Sequence, residues 1–472
     1  MPIEAAKDKS FYSKFKSEYC SSYHHKFFGH LIEIDTNQKS ENGKIMCQVS
    51  LVTMEFIDFE IEALEDKKRF HPYFTELIAD VAICDYMAIK NKCIDGNWVK
   101  VELFKTECKT YKESKLRFKG DFIFGASPLK RRSVYFIVDE IEDAFIKNKL
   151  NKYKNLYYSL KTDLKDNISK IAIVKELYED IKSVNSVRCT VYNVGQANCI
   201  ELNFTNNAKD VSVMFDVGMS VLEMRDTPKS KCCTCIDKNW KTISKIKPEW
   251  VLLSHWDIDH ILGICELDND SYSIYEKTKW IAPDLFQLSF YAVSVSALRL
   301  CGYLFLNSKI ALIKSGIDVN AVLGVEDKAS ILYLFTGKGC KGESSKNNNI
   351  GLCMEISYQS QNSENVQRAL LPGDCEYKQF IGNVTEGKLY DFLVASHHGS
   401  NNSKECDVAG KENGVAVICT GKNNYGHPGD DHIKKLQANG FVTYKVSDWY
   451  GIRFEMGSNK EKVKVEFMTN YS

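Results

Sequence analysis

Residues 254–263 read Ser254-His255-Trp256-Asp257-Ile258-Asp259-His260-Ile261-Leu262-Gly263. They follow Val251, Leu252 and Leu253, a short apolar run that predicts a buried strand emptying into this loop. His255, Asp257, Asp259 and His260 are too closely spaced to point apart, so four ligand-type side chains converge on a small volume. Carboxylates shielded together from water repel each other strongly unless cations sit between them, which makes the cluster an argument for bound metal. Taken alone, the stretch also fits a solvated acidic turn whose aspartates cap the helix that follows.

Downstream residues favour metal. The apolar strand in "LLPGDCE" ends at Asp374, and the one in "FLVASHHGS" ends at His397 and His398. Of 10 histidines, four fall in the two loops 254–263 and 396–400, a joint pattern hard to obtain by accident. Asp216, His255, Asp374 and His397 all stand at the C-terminal ends of candidate strands, where rigid elements aim side chains carried by loops.

The rest of the chain sets bounds. At 472 residues it is long enough for two domains. Its 62 basic and 62 acidic residues give a formal net charge of +0, so a polyanion would be attracted by local patches only. The 17 cysteines, an odd number scattered through apolar segments, suit free thiols in a reducing compartment and predict a cytoplasmic protein. The charged N-terminus lacks the apolar core of a secretory signal. The most apolar stretch, "LFQLSFYAVSVSALRLCGYLFLNSKIALI" from Leu285, is interrupted by Gln287, Arg299, Asn307 and Lys309, which predicts a buried helix pair and no membrane partner.

From about Lys44 to Val138 the pattern is strand-like, "KIMCQVSLVTMEFIDFEI" included, with one helix near "YFTELIADVAICDYMAIKN". A charged, helix-permitting segment then runs to about Asn185. The expected domains are therefore 1–185, β-rich or mixed with a helical connector, and 186–472, where short apolar strands alternate with turns and helices.

Within the second domain "VYNVGQANCIEL", "MFDVG", "LLSHWDIDHILG", "NNNIGLCMEISY", "LLPGDCE", "LVASHHGSNNS", "GKNNYGHP" and "VSDWYGIRFEM" follow in that order. This series resembles the metallo-β-lactamase superfamily, and more closely the branch found as the soluble domain of the DNA-uptake protein ComEC. The resemblance spans about Val187 to Phe454 and implies an α/β fold: an αββα sandwich carrying a dinuclear site, here preceded by the smaller N-terminal domain. It assigns His255 and Asp257 to one metal and Asp259 and His260 to the other. Asp374 corresponds to the bridging carboxylate, and His397 completes the second site, with His398 the alternative. Asp216 corresponds to the aspartate that braces the motif loop without binding metal.

Two departures stand out. Asp257 occupies a position where the commoner motif has histidine, and no histidine lies between His260 and His397, where the family usually has an isolated ligand. The first site is therefore oxygen-rich, which favours Mn²⁺ beside Zn²⁺, with Mg²⁺ third.

Two divalent ions about 3.5–4 Å apart can share a hydroxide nucleophile and stabilise both oxygens of a phosphodiester displacement. Asp259 is placed to orient that water. In "GKNNYGHP", Lys422, Asn424, Tyr425 and His427 are candidates for phosphate contact, with His427 also able to protonate the leaving group; Ser400 and His398 are further substrate contacts. The expected function is a metal-dependent phosphodiesterase, a nuclease acting on DNA ahead of RNA. Hydrolysis of a small phosphodiester or nucleotide signal and a degraded binding platform are the rivals. No channel accompanies the domain, so uptake is not its expected job. A nuclease fused to a partner-binding module fits antiviral defence in bacteria, and uncontrolled cleavage would be harmful, so a regulatory protein partner is expected.

Three further signals carry blander readings. "KCCTC" (Cys232, Cys233, Cys235) lacks a second pair at finger spacing and reads as free thiols. The lysines and tyrosines of "IKNKLNKYKNLYYSLK" read as a solvated helix face over a packing stripe, and "LKRR" at 129–132 as a loop.

Overall fold

The computed structural model describes residues 24–32, 43–65, 74–94, 97–124, 132–164, 169–205, 210–220, 231–267, 274–323, 332–339, 347–359, 365–382, 384–421, 423, 426–457 and 463–469. It is a mixed α/β structure with several sheets. The chain divides into two compact units, Met1–Asn167 with Leu288–Ser308, and Ile168–Gln287 with Lys309–Ser472.

In the first unit six strands close a barrel in the order β1-β2-β3-β5-β6-β4: β1 His24–Leu31, β2 Lys44–Val52, β3 Thr75–Ala82, β4 Trp98–Phe104, β5 Arg117–Phe124 and β6 Arg132–Asp139. Inward residues such as Phe27, Val49, Leu77, Val101 and Phe136 form its core. The sequence reading differs here in two places. "MEFIDFEIEALE" is a helix, Met54–Glu65, whose buried Phe56, Ile57, Glu60, Ile61 and Leu64 recur at helical spacing although its first residues mimic alternation. Conversely "TELIADVA" is strand β3, buried along nearly its whole length, and a fully buried strand carries no period that separates it from a buried helix. A helix follows it at Ile83–Lys90.

The charged segment after β6 forms two helices, Ala144–Leu164 and Ser169–Ile181. In the first, Tyr153 and Tyr157 are buried while Lys149 and Lys152 pair with Asp58 and Glu65 of the Met54–Glu65 helix. The second belongs to the other unit and packs Ile173, Val174, Leu177 and Ile181 into its core.

The apolar stretch from Leu285 holds one long helix, Val295–Leu306, preceded by two single turns and followed by a strand, not a helix pair. Among the described residues no helix is long and apolar enough to cross a membrane. Arg299 of this helix is fully buried on Glu60 (Nε to Oε1, 2.6 Å), and Glu60 also accepts from Tyr157 Oη at 3.4 Å and from Tyr153. One turn earlier, Ser296 Oγ and Ser50 Oγ both donate to the buried Glu76 (2.5 and 2.9 Å). Burial raises the Glu76 carboxyl, against hydrogen bonds that lower it.

His30 of β1 is buried against Trp98 and Phe290, with ring centroids 5.2 and 4.4 Å away and no hydrogen-bond partner at either ring nitrogen. Burial, then the charge of Lys154, push it down to about 3 from 6.5. Between those values the unfolded chain binds the proton and the folded one does not, so stability falls as pH drops from about 6.5 towards 3. His30→Phe should remove roughly 1.4 kcal/mol per pH unit from the acid slope of unfolding free energy over that window. Parallel slopes for the two proteins in urea titrations would contradict it.

In the second unit two sheets lie face to face over one core. The eight-stranded sheet runs β12-β11-β10-β9-β8-β7-β19-β20 and the six-stranded sheet β13-β14-β15-β16-β17-β18. The strands are β7 Ser186–Tyr192, β8 Cys199–Thr205, β9 Asp210–Val217, β10 Trp250–Leu252, β11 Lys279–Pro283, β12 Ile310–Ile313, β13 Leu332–Thr336, β14 Leu352–Gln359, β15 Val366–Leu371, β16 Leu389–Val394, β17 Ala409–Ile418, β18 Phe441–Lys445, β19 Gly451–Gly457 and β20 Lys464–Met468. Phe204, Phe215, Leu252, Leu334, Met354, Phe392 and Phe454 are among the residues that fill the space between them. Strands β9 to β12 are parallel, as are β15 to β18, so several carboxyl ends of both sheets open onto the same edge of the unit. On the outer face of the six-stranded sheet a second cluster, including Phe335, Tyr390 and Leu393, is covered by Leu436 of the helix Asp430–Ala438.

Candidate metal centre

At the end of β9, Asp216 adopts φ +58° and turns its carboxylate back into the protein. Oδ1 accepts from the backbone N–H of Ser254 (2.6 Å), and Oδ2 meets Ser254 Oγ (2.7 Å) and His260 Nδ1 (2.8 Å). These bonds tie the loop after β10 to β9 and turn His260 Nε2 outward. Ser254 Oγ also lies 3.0 Å from His255 Nδ1, so His255 likewise offers Nε2.

The loops after β15 and β16 supply the facing wall. Asp374 Oδ1 lies 3.4 Å from His260 Nε2, and Oδ2 lies 3.6 Å from His398 Nε2 and 4.0 Å from His255 Nε2. His398 Nε2 is 3.4 Å from Asp259 Oδ2, while its Nδ1 is held by the Cys419 carbonyl at 2.8 Å. Ligand atoms of His255, His260 and Asp374 lie within 4.8 Å of one another, and so do those of Asp259, His260 and His398. Asp257 Oδ2 adds a carboxylate oxygen 3.3 Å from His255 Nε2.

The arrangement resolves the adjacent histidines unequally. His398 joins a ligand group, whereas His397 Nε2 lies 3.8 Å from Asp374 Oδ2, next to Asn348 Nδ2 (3.5 Å), with its ring stacked edge-on against His427 (5.4 Å). Both histidines have positive φ, 49° and 52°, as Asp216 does. Non-glycine residues rarely adopt this conformation, and three of the six that do so among the described residues stand at this site.

Four ligand atoms, His255 Nε2, His260 Nε2, His398 Nε2 and Asp374 Oδ1, are buried without a hydrogen-bond partner. Buried polar groups left unpaired cost about 1–3 kcal/mol each, so their convergence on one point fits a cation that would satisfy them together. Three carboxylates, Asp257, Asp259 and Asp374, and three outward Nε2 atoms with braced Nδ1 atoms are a donor set suited to Zn²⁺ or Mn²⁺. Burial works against ionising Asp374, yet His398, His260 and His397 hold it well below the usual carboxylate range. Burial likewise opposes charge on His260, while Asp374 and Asp216 raise it well above its ordinary value.

Close packing registers the loops on each other. Gly373 has φ +59°, and a Cβ there would stand 2.3 Å from the Cβ of Ser254. Gly373→Ala should therefore cost about 1–3 kcal/mol in backbone strain and drive the Asp374 loop off the His255 loop. Metal retained after dialysis should fall with the melting temperature; full retention would refute the close-packing role.

Of the other expected site residues, His427 is brought beside His397, and Ser400 uses its hydroxyl to accept from Asn402 N–H at 3.2 Å, shaping its own loop. Lys422, Asn424 and Tyr425 lie outside the described residues. So do Leu129–Arg131 and the side chains of Cys232 and Cys233; Cys235 is a free thiol on the helix Lys231–Ile243. The sequence reading missed Asn347, whose Nδ2 donates to Asp257 Oδ1, and Asn349, which anchors on Glu376. It also missed Gln196, whose Oε1 accepts from Thr420 and Asn423 (3.2 Å each) below His427. The run of three asparagines just before an apolar strand was the available signal.

No protein-family model matches the chain, and no curated protein does. Solved structures do. A long form RNase Z from yeast is similar at 12% identity and a TM-score of 0.27, over 51% of this chain and 38% of that one. The metallo-β-lactamase fold protein YhfI from Bacillus subtilis is similar at 11% identity and a TM-score of 0.29, over 58% of this chain and 100% of its own. MEM-A1, a subclass B3 metallo-β-lactamase from a soil metagenome library, is similar at 12% and 0.23, over 47% and 81%. Two of these three are a metallo-β-lactamase fold protein and a metallo-β-lactamase by name. At these scores the likeness carries no argument, and the chemistry of the site rests on its own residues.

Proposed function

We propose that the second unit is an αββα metallo-β-lactamase domain of the ComEC-like branch that hydrolyses phosphodiesters with two divalent ions, Mn²⁺ or Zn²⁺, and that its substrate is DNA. The observation that carries the reading is the convergence of four unpartnered buried ligand atoms with Asp257 and Asp259 at the carboxyl ends of parallel strands. When bound, two such ions make water acidic and neutralise charge on a phosphodiester.

The residues divide the work. His255 and Asp257 would hold one ion and Asp259, His260 and His398 the other, with Asp374 available to both. Asp259 keeps a side chain 28% exposed, so one oxygen can accept a proton from, and aim, an attacking water. His397 and His427, paired by their ring contact, line the neighbouring wall, where ring N–H groups can bind non-bridging oxygens. Burial, then His397 and His398, push His427 down to about 3. A neutral ring offers a hydrogen bond, which suits phosphate contact, the first of the two roles open to it beside leaving-group protonation.

The first unit, attached to a nuclease harmful if unchecked, suits a regulatory module answering to a protein partner in a cytoplasmic defence role. The test offers single-stranded DNA, duplex DNA, RNA and bis-p-nitrophenyl phosphate to protein loaded with Mn²⁺ or Zn²⁺, beside an Asp259→Ala/His260→Ala variant. DNA cleavage lost in the variant by about 10³-fold or more is expected, a loss of several kcal/mol of transition-state stabilisation. Cleavage of RNA in preference to DNA would reassign the substrate, and no variant-sensitive cleavage with two ions bound would overturn the enzyme reading.

A further inference from the structure

The site built on His255 and Asp257 lacks the isolated histidine, and no residue of that type exists between positions 260 and 397 to supply it. What the structure places there is an amide. Asn347 is 3% exposed and opens a short turn leading into β14. Its Nδ2 donates to Asp257 Oδ1, and its Oδ1 accepts from the backbone N–H of Trp256 at 3.5 Å. The orientation follows from the partner: a carboxylate oxygen only accepts, so the N–H end must face Asp257.

Asp257 needs such a hold. Its side chain is 45% exposed, and although it precedes the short helix Ile258–Ile261 it makes no capping hydrogen bond. With Oδ1 occupied by the amide, Oδ2 is left 3.3 Å from His255 Nε2, facing the unpartnered ring nitrogen. The amide is itself fixed. Asn349, two residues on, donates to Glu376 Oε1 (3.2 Å) and accepts from Glu376 N–H (3.1 Å), and Leu352 N–H donates to the Ser254 carbonyl at 2.8 Å. The turn is thus bolted to the Asp374 loop on one side and to the His255 loop on the other.

We infer that Asn347 is the positioning residue that completes the site of His255 and Asp257, aiming one carboxylate oxygen at a hard divalent ion in place of a third imidazole. The inference rests on the two-ion reading. Because the clamp is neutral and acts through Asp257, its effect is confined to one site and depends on that carboxylate.

The test is Mn²⁺ binding to the full chain, followed by calorimetry and by electron paramagnetic resonance of the free ion. The expected result is two ions on the wild type and, for Asn347→Ala, a loss of about 10–100-fold in affinity at one of them with the other unchanged. Asn347→Leu, which keeps the volume and removes the donor, should do the same, and in an Asp257→Ala background neither substitution should weaken binding further. Equal loss at both sites, an undiminished effect without Asp257, or wild-type affinity in both variants overturns the inference while the two-ion reading stands. A wild-type chain that binds no pair of ions overturns both.

Discussion

Asp374→Ala should release both ions together and cut phosphodiester hydrolysis by about 10³-fold or more, the loss of several kcal/mol of charge stabilisation. Its two oxygens lie within 4.0 Å of ring nitrogens on His255, His260, His397 and His398, so the substitution removes the anion that all four histidines share. Buried anions surrounded by cations are costly to delete, because the partners stay buried without compensation. His260 and His398 are both raised by Asp374 against the opposing effect of burial, and each should titrate lower in the variant. Metal content by elemental analysis and turnover of bis-p-nitrophenyl phosphate check the first expectation. Retention of one ion at full occupancy would show that the carboxylate does not span the pair.

The second large effect lies in the other unit. Glu60→Ala should destabilise it by about 3–5 kcal/mol, because Arg299, fully buried, would lose its 2.6 Å partner and keep its charge. The hydroxyls of Tyr153 and Tyr157 would also lose an acceptor. Replacing the pair together by Glu60→Leu and Arg299→Met should cost far less than either single change, since no orphaned charge remains. Urea unfolding of the four proteins measures this coupling. Single substitutions costing under about 1 kcal/mol would show that water reaches the pair, as it does for surface ion pairs.

The candidate metal loop stood out in the sequence because its chemistry is local. Four ligand-type residues within six positions, each near a strand end, leave few other readings, and the Gly-Asp and His-His-Gly-Ser loops share the same placement. What the sequence could not order was His397 against His398. Adjacent residues both in a left-handed conformation have no periodic signature, and the Cys419 carbonyl that holds His398 Nδ1 is distant in sequence. Asn347 was equally hidden, since an amide is informative only once its partner is known. In the barrel the failures were of period. Strand β3 is buried on both faces, so its pattern could equally have been a helix, and the residues after β2 alternate long enough to conceal a helical stripe. Arg299 looked like an interruption of an apolar run, when it is the charged core of one.

The segment Leu288–Ser308 belongs to the first unit although the chain on both sides of it belongs to the second. Its helix, Val295–Leu306, buries Val295 through Leu304, Arg299 included. Deletion genetics on this protein therefore has a hidden cost. Removing residues 1–167 takes away Glu60 and Thr75, which bond Arg299, and strips the cover from this apolar helix. A null phenotype from such a truncation would confound loss of the barrel with exposure of this helix.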